Sequence, residues 1–338
     1  RLGGPQFVVL TPSVASIATL DAQTAELQSA IDLPLRVGRD KVRITTIAGV
    51  AVVESGGTSA DDLLVDGCTA LHEASETGES RVAFHLALRS KLNPANAERR
   101  LRNALEDEQF ELVYMPVVTL WEHNLVGFEA LLRWADPERG LVSPAEFLKV
   151  LDDTGLIVPV GAWVIEEACR QSKAWEDAFP DRDLTMTINV APRQLMQTDF
   201  VDIITEVLHD TGASPAHLCL EIAEGGAFRQ TDVLWQTLRG VKNLGLQLAL
   251  DDFGVGLASL NYIRAFDLDV VKIEPTFVRS VAESRDDQAI VGQIVGLAHA
   301  LGLTAVAEGV NAKDQADALQ VLGCDLAQGY YYSQPRAV

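Results

Sequence analysis

Short apolar runs alternate with amphipathic stretches along the chain from residue 91 to its end. Such runs predict buried strands, and apolar residues at helical spacing predict helices packed against them. The helical spacing is clearest at 161–175, 200–211, 231–244 and 286–301. The eight predicted strands are 112–118, 125–131, 184–190, 217–222, 246–250, 270–273, 303–307 and 325–330.

Eight strands separated by helices within about 240 residues favour an α/β fold of the (β/α)8 barrel type. The first two strands are joined by residues 119–124, which leave no room for a helix. Strands joined so closely can pair antiparallel. The sequence therefore predicts a modified (β/α)8 TIM-like barrel.

Residues 1–90 have a different pattern, which predicts a partial α+β segment. The expected elements are strands at 7–10, 43–53 and 82–86, and helices near 15–31 and 60–76. Asn93 and Pro94 indicate a break before a helix near 95–108. The expected domain organisation is a first segment at 1–90, a linker at 91–99 and a barrel at 100–338.

The chain has 338 residues and a formal net charge of −21, from 27 Lys and Arg against 48 Asp and Glu. Proteins that bind nucleic acid polymers or membrane surfaces need clustered Lys and Arg, so the charge argues against both classes. The four cysteines form no CxxC pair, which argues against a zinc knuckle and fits a reducing compartment. We expect a cytoplasmic location, and tethering to a membrane by segments outside this chain stays open.

Residues 289–307 carry no formal charge and approach the length of a membrane span. Gln293, His299 and Thr304 interrupt this stretch, and Gly302 stands where a helix would end. The pattern predicts a helix followed by a short strand. Because the chain opens on Arg1, we expect it to be part of a longer protein with an upstream sensory region.

Polar residues recur late in the predicted strands or directly after them. They are Glu129, Asn189, Glu221, Asp251, Asp252, Lys272, Glu308 and Gln328. Any one of them alone is most simply a helix N-cap or a solvated loop residue. In a barrel, however, the carboxyl ends of the strands form one ring, where active sites lie. Because the pattern repeats on seven strands, we predict an active site there.

Five carboxylates at one end of a barrel repel one another unless a cation compensates them. Carboxylate and carboxamide oxygens, without Cys or His, favour Mg²⁺ or Mn²⁺. Two such ions would activate a water and stabilise the leaving oxygen of a phosphodiester. Lys272 would orient that water or neutralise the phosphate, and Arg133 would bind a phosphate oxygen through its planar guanidinium.

Residues from about 100 to 335 resemble the EAL domain, a family of phosphodiesterases that cut cyclic di-GMP to the linear dinucleotide. The motifs occur in family order and at family spacing. They are EALLRW at 129–134, INV at 188–190, LEI at 220–222, DDFG at 251–254, VKI at 271–273, AEGV at 307–310 and QGY at 328–330.

The resemblance implies a role for each matching position. The implied metal ligands are Glu129, Asn189, Glu221, Asp251, Asp252 and Glu308, around two Mg²⁺ or Mn²⁺ ions. The implied catalytic residues are Lys272, which orients the water, Glu308, a metal ligand or general base, and Glu129. The implied substrate-binding positions are Arg133, Gln328 and Met115, and Glu224 is the implied anchor of the loop after the fifth strand. The resemblance also implies a homodimer near residues 252–261.

The chain departs from the family pattern in several places. Family members usually have Gln at the position of Met115, so a polar contact to the ligand is lost. The other departures are Ala223, Gly225, residues 255–258, Glu274 and Asn311. None removes a primary metal ligand, but several touch the loop that carries Asp252. We therefore expect hydrolysis to be slow or conditional.

Three functions remain open from the sequence. The chain is a phosphodiesterase for cyclic di-GMP, a receptor or regulatory module that binds it, or an unrelated (β/α)8 enzyme. Receptors descended from this family typically lose some of the acids at Glu129, Glu221, Asp251 and Asp252. All four are present, which favours the enzyme.

Residues 1–90 resemble the C-terminal part of a GGDEF domain, the fold of diguanylate cyclases. The signature stretch is RLGGPQF at 1–7, with Pro5 and Gln6 where the family has the metal-binding and catalytic acids. His72 and Ser75 stand where Tyr and Lys are usual. The resemblance therefore implies a degenerate domain without cyclase activity.

Overall fold

The computed structural model describes residues 94–137, 140–223, 232–254 and 266–338 without interruption. Before residue 94 it describes 7–10, 23–24, 26–27, 30–31, 35–37, 40–42, 46–52, 64, 67–68, 71 and 83–86. The chain divides into two compact units, Arg1–Asn96 and Ala97–Val338.

The first unit contains two strand pairs among its described residues. Strands β1 (Leu35–Val37) and β2 (Asp40–Val42) form an antiparallel hairpin that the sequence analysis did not predict. Strands β3 (Gly49–Val52) and β4 (Ala83–Leu86) pair in parallel, and each falls inside a predicted strand. The structure describes only some positions of the two helices that are predicted in this unit, and all of them are helical. They are residues 23–24, 26–27, 30–31, 64, 67–68 and 71.

The predicted strand at residues 7–10 is wrong. These residues form neither helix nor strand, and Phe7 and Leu10 are largely exposed. A strand exists only when a neighbouring strand exchanges hydrogen bonds with it, and an apolar run by itself does not supply that neighbour.

The second unit is a closed barrel of eight strands that follows helix α1 (Pro94–Glu106). Its strands are β5 (Phe110–Thr119), β6 (Leu125–Asp136), β8 (Thr185–Asn189), β9 (Leu218–Ala223), β10 (Gln247–Phe253), β11 (Val270–Ile273), β12 (Thr304–Ala307) and β13 (Leu326–Ala327). Strand β5 is antiparallel to both of its neighbours, β6 and β13. The other neighbouring pairs are parallel. The predicted modified barrel is confirmed.

Strands β6 and β13 differ most in length from their predictions. Strand β6 continues to Asp136 because β5 pairs along its length and a short strand, β7 (Gly140–Val142), pairs with its end. Strand β13 ends at Ala327 because the chain turns at Gly329, which has a φ of 152°. A Cβ at Gly329 would lie 2.1 Å from the carbonyl oxygen of Val310, so the close approach requires glycine.

Helices cover the barrel between the strands. They are α2 (Pro144–Thr154), α3 (Ile157–Ala178), α4 (Pro192–Leu195), α5 (Phe200–Thr211), α6 (Asp232–Asn243), α7 (Pro275–Arg279), α8 (Arg285–Ala300) and α9 (Lys313–Val321). Several begin with proline, whose missing N–H costs nothing at a helix start. The uncharged stretch at 289–307 forms the end of α8 and then β12, as predicted. Among the described residues, no helix combines the length and apolar character needed to cross a membrane.

The apolar runs of the sequence supply the buried core of the barrel. Strand β9 is buried along nearly its whole length, as expected for a parallel strand that is covered on both sides. Leu218, Leu220 and Ile222 of this strand belong to the cluster that packs between strands and helices. Glu221 lies between them on the opposite face and is equally buried. Alternation along the strand therefore directs this carboxylate into the barrel.

Candidate active site

The carboxyl ends of the parallel strands bring most of the predicted site residues together. The strand register places Asn189 beside Glu221, and Glu129 is paired with Thr187 on β8. Lys272 lies near the end of β11, and Glu308 and Gln328 directly follow β12 and β13. Because the barrel is closed, β6 lies opposite β11, and side chains distant in sequence meet inside it.

Lys272 is the centre of this cluster. Its Nζ lies 3.0 Å from Glu129 Oε2, 2.6 Å from Glu221 Oε2 and 2.6 Å from Glu308 Oε1. Its side chain is only 4% exposed. From the sequence, Lys272 is predicted to contact the attacking water or the phosphate. The structure adds that its ammonium also compensates three buried carboxylates.

Two carboxamides complete the cluster. Asn189 Nδ2 donates to Glu129 Oε1 at 2.8 Å. Gln328 Nε2 donates to Glu129 Oε2 at 2.6 Å and to Glu308 Oε1 at 2.8 Å. Both oxygens of Glu129 are therefore held by hydrogen bonds, which fixes the orientation of its carboxylate.

Burial and neighbouring charges determine the protonation of the site. Burial raises the pKa of Glu308 to about 8, although Lys272 opposes the shift. Burial and the neighbouring Glu129 hold the pKa of Glu221 well above its usual value. Burial also raises the pKa of Glu129, but Lys272 and three hydrogen bonds outweigh it, so this pKa is lowered. Burial lowers the pKa of Lys272, but the surrounding carboxylates raise it by more. The pKa therefore lies well above its usual value, and the ammonium stays charged.

Asp251 and Asp252 form a second group of oxygens with Glu308. One carboxylate oxygen from each of the three lies within 4.8 Å of the others. Asp252 has a φ of 54°, in the left-handed region, and its N–H donates to Asp251 Oδ1 at 2.8 Å. This backbone conformation costs energy in a residue other than glycine, and such strain clusters at functional sites.

The carboxylate oxygens of the site fit a hard divalent cation as ligands. One carboxylate oxygen from each of Glu129, Glu221 and Glu308 also lies within 4.8 Å of the others, and neither group contains Cys or His. Gln328 Oε1 is buried and accepts no hydrogen bond from any residue that the structure describes. A buried carbonyl oxygen without a donor is costly, and a cation or a water would satisfy it. Oxygen ligands of this kind favour hard divalent cations over softer transition metals.

The remaining predicted residues lie at the border of the cluster or outside the described part. Arg133, further along β6, donates to the carbonyl oxygen of Leu132 at 2.8 Å, and burial lowers its pKa. Met115 is buried on β5 and is paired with Glu129. Glu224 and residues 255–265 lie outside the described residues.

Two buried glutamines near the site were missed by the sequence analysis. Gln194 accepts from the N–H of Ala191 at 3.0 Å, in the loop after Asn189. Gln315 accepts from the N–H of Ala312 at 3.0 Å, in the loop after Glu308. The sequence signal that could have identified them is a Gln at the third helical position. The side chain of a Gln at this position often accepts from the backbone N–H of the N-cap residue.

Known proteins are similar to this chain in sequence and in fold. The EAL domain family profile matches residues 98–335. The chain is 35% identical over 343 residues to "Bifunctional diguanylate cyclase/cyclic di-GMP phosphodiesterase MucR" of Pseudomonas aeruginosa. That alignment covers 99% of this chain and 49% of the relative. The chain thus spans about half the length of the curated relative.

Two solved structures are similar to the chain. The structure of "PaMucR Phosphodiesterase, c-di-GMP complex" is 37% identical, with a TM-score of 0.68 over 72% of this chain and 98% of that one. The "cAMP and cyclic-di-GMP bound form" of the EAL enzyme Bd1971 is 27% identical, with a TM-score of 0.69 over 83% and 74% of the two chains.

Proposed function

Because the chain belongs to the EAL domain family, we propose that it hydrolyses cyclic di-GMP to linear pGpG in a reaction that depends on Mg²⁺ or Mn²⁺. Water would attack one phosphorus, the bond from that phosphorus to the 3′ oxygen would break, and the 3′ oxygen would take up a proton. The product keeps the phosphate on its 5′ end. Hydrolysis lowers the concentration of the second messenger.

The oxygens of the cluster would hold two divalent cations. The proposed ligands are Glu129, Asn189, Glu221, Asp251, Asp252 and Glu308. When bound, such cations polarise a phosphate oxygen and lower the pKa of water. The observation that carries the proposal is the convergence of three glutamates on Lys272, with Asp251 and Asp252 beside them.

The side chains of the cluster would also handle the proton of the attacking water. Lys272 Nζ would donate a hydrogen bond to the water and keep its oxygen directed at the phosphorus. Glu308 would act as general base, because its Oε1 lies 2.6 Å from the Lys272 Nζ that would hold the water. Arg133 would bind a phosphate oxygen, and Gln328 and Met115 would line the substrate site.

The test is hydrolysis of cyclic di-GMP by the purified protein with Mn²⁺ or Mg²⁺, followed by chromatography of the nucleotides. We expect pGpG from the wild type and none from Glu129→Ala, because that change removes a proposed ligand and the acceptor for three neighbouring donors. Glu206→Ala is the matched control, since Glu206 is exposed on α5, and it should retain wild-type activity.

The alternative is a receptor or regulatory module that binds cyclic di-GMP without cutting it. Wild-type protein that binds cyclic di-GMP but forms no pGpG with either cation would contradict the proposed hydrolysis. That result would favour the receptor, and the altered loop at 255–258 would be the first place to look for the cause.

For the rest of the chain, we propose a degenerate GGDEF-like segment at 1–90, a linker at 91–99 whose last six residues begin α1, and the phosphodiesterase barrel at 100–338. Pro5 and Gln6, on which the loss of cyclase activity depends, lie outside the described residues. A homodimer through the barrel, a cytoplasmic location and regulation by an upstream sensory region also belong to this proposal. Light scattering of the purified protein would test the dimer.

A further inference from the structure

A buried glutamine outside the metal-ligand set ties together the loops that carry the site. Gln315 lies in the first turn of α9 and is only 8% exposed. Its Oε1 accepts from the N–H of Asn311 at 2.7 Å and from that of Ala312 at 3.0 Å. Its Nε2 donates to the carbonyl oxygen of Arg279 at 3.0 Å. All three bonds go to backbone atoms.

These bonds join two loops that follow neighbouring strands. Asn311 and Ala312 end the loop that starts with Glu308, after β12. Arg279 ends α7, the short helix that follows Lys272 on β11. The amide of Gln315 therefore spans the gap between the segment after Lys272 and the segment after Glu308.

The loop after Glu308 in turn holds the segment after β13. Asn311 Oδ1 accepts from the N–H of Tyr330 at 3.2 Å. The backbone of Val310 bonds to Gln328 and Tyr331 at 3.0 Å each. Displacement of this loop would therefore move both Glu308 and Gln328, whose side chains bond to each other at 2.8 Å.

Asp314, in the same turn of α9, accepts from the N–H of Gln315 at 2.9 Å rather than from the N–H groups of Asn311 and Ala312. Ala312, at the N-cap, has no side-chain oxygen to accept the free N–H groups of the first turn. Gln315 accepts two N–H groups of this loop, and both would lose their acceptor if the amide were removed. A buried donor without an acceptor is costly, so the loop would rearrange to reach solvent.

We propose that Gln315 is a positioning residue of the active site, which fixes the loop of Glu308 and thereby the contacts of Glu308 with Lys272 and Gln328. The inference rests on the proposed function for its role in hydrolysis. Its effect on cation binding stands apart from any substrate. Residues that orient metal ligands typically change metal affinity or activity by about 10- to 100-fold when they are replaced.

The experiment measures Mn²⁺ binding by calorimetry on the purified chain of residues 1–338, which has been stripped with EDTA and dialysed. We expect Gln315→Met to weaken Mn²⁺ binding by about 10- to 100-fold. Gln315→Glu should lie between this variant and the wild type, because its carboxylate still accepts both N–H groups but cannot donate to Arg279. Gln320→Met, on the same helix and half-buried, is the matched control and should bind Mn²⁺ like the wild type.

Kinetics supply the second readout. At saturating Mn²⁺, Gln315→Met should lower kcat for cyclic di-GMP while KM stays within about twofold of the wild type, because the Gln315 side chain bonds to backbone atoms and not to a proposed substrate-binding residue. A purely structural role would lower the melting temperature but leave the Mn²⁺ affinity of the folded protein unchanged.

Wild-type Mn²⁺ affinity in folded Gln315→Met overturns the inference, and so does an equal loss in Gln320→Met or the absence of Mn²⁺ binding by the wild type. If Gln315→Met does not fold, Gln315→Glu decides, and unchanged Mn²⁺ binding by that variant overturns the inference. Wild-type protein that binds Mn²⁺ but cuts no cyclic di-GMP refutes the proposed function alone.

Discussion

Replacing Lys272 with methionine should destabilise the barrel strongly when divalent cations are absent. The ammonium lies 2.6–3.0 Å from three carboxylates, and its side chain is 4% exposed. At an effective dielectric constant of about 20, each contact corresponds to about 6 kcal/mol of gross attraction. Most of that attraction offsets the desolvation of the buried groups and the repulsion among the carboxylates, the two effects that raise the pKa of Glu221 and of Glu308.

The net effect follows from what the substitution leaves behind. Methionine has a similar length but no charge, so Glu129, Glu221 and Glu308 would lie together in the barrel without a cation. Removing one partner of a buried ion pair costs about 3–5 kcal/mol. We expect the free energy of unfolding of Lys272→Met to fall by about that amount at pH 7 in EDTA.

Urea unfolding followed by circular dichroism measures this change, with Lys313→Met as the matched control. Lys313 forms an ion pair with Asp317 on the surface of α9, and its loss should leave stability within experimental error. Mn²⁺ should restore more stability to Lys272→Met than to the wild type, because it would compensate the same three carboxylates.

Two results would refute this reasoning. The first is a free energy of unfolding for Lys272→Met within about 1 kcal/mol of the wild type in EDTA, since the ammonium would then not be the main compensating charge. The second is a failure of Glu221→Gln to recover stability in the Lys272→Met background, because removing one carboxylate should relieve the repulsion.

Two further predictions concern substrate affinity and the thiols. Met115→Gln should lower KM for cyclic di-GMP by about fivefold with kcat unchanged, because one new hydrogen bond contributes about 1 kcal/mol; steady-state kinetics check this, and a lower kcat at unchanged KM would contradict it. Cys68 is exposed, whereas Cys169, Cys219 and Cys324 are buried, and burial raises the pKa of Cys169 and of Cys324 to about 12. Ellman's reagent at pH 8 should therefore modify one thiol in the native protein and four in guanidinium, and two or more in the native protein would be the wrong outcome.

Local pattern was enough to predict most elements of the barrel. The predicted helix at 200–211 and the predicted strand at 270–273 have the bounds of α5 and β11. Such patterns record which residues of an element are buried, a property that neighbouring residues share. The pattern failed at residues 7–10, where an apolar run is neither helix nor strand, and at the β1–β2 hairpin, which it did not predict.

The identity and order of the polar residues at the strand ends were also determined by the sequence, since the EAL motifs name every member of the central cluster. Only the tertiary structure decided which of their atoms meet. Lys272 and Glu129 are 143 positions apart, and Gln328 and Glu129 are 199 apart. Contacts over such separations depend on strand register and on closure of the barrel, which no local pattern records. For that reason the charge compensation by Lys272 and the bridging by Gln315 became visible only in the fold.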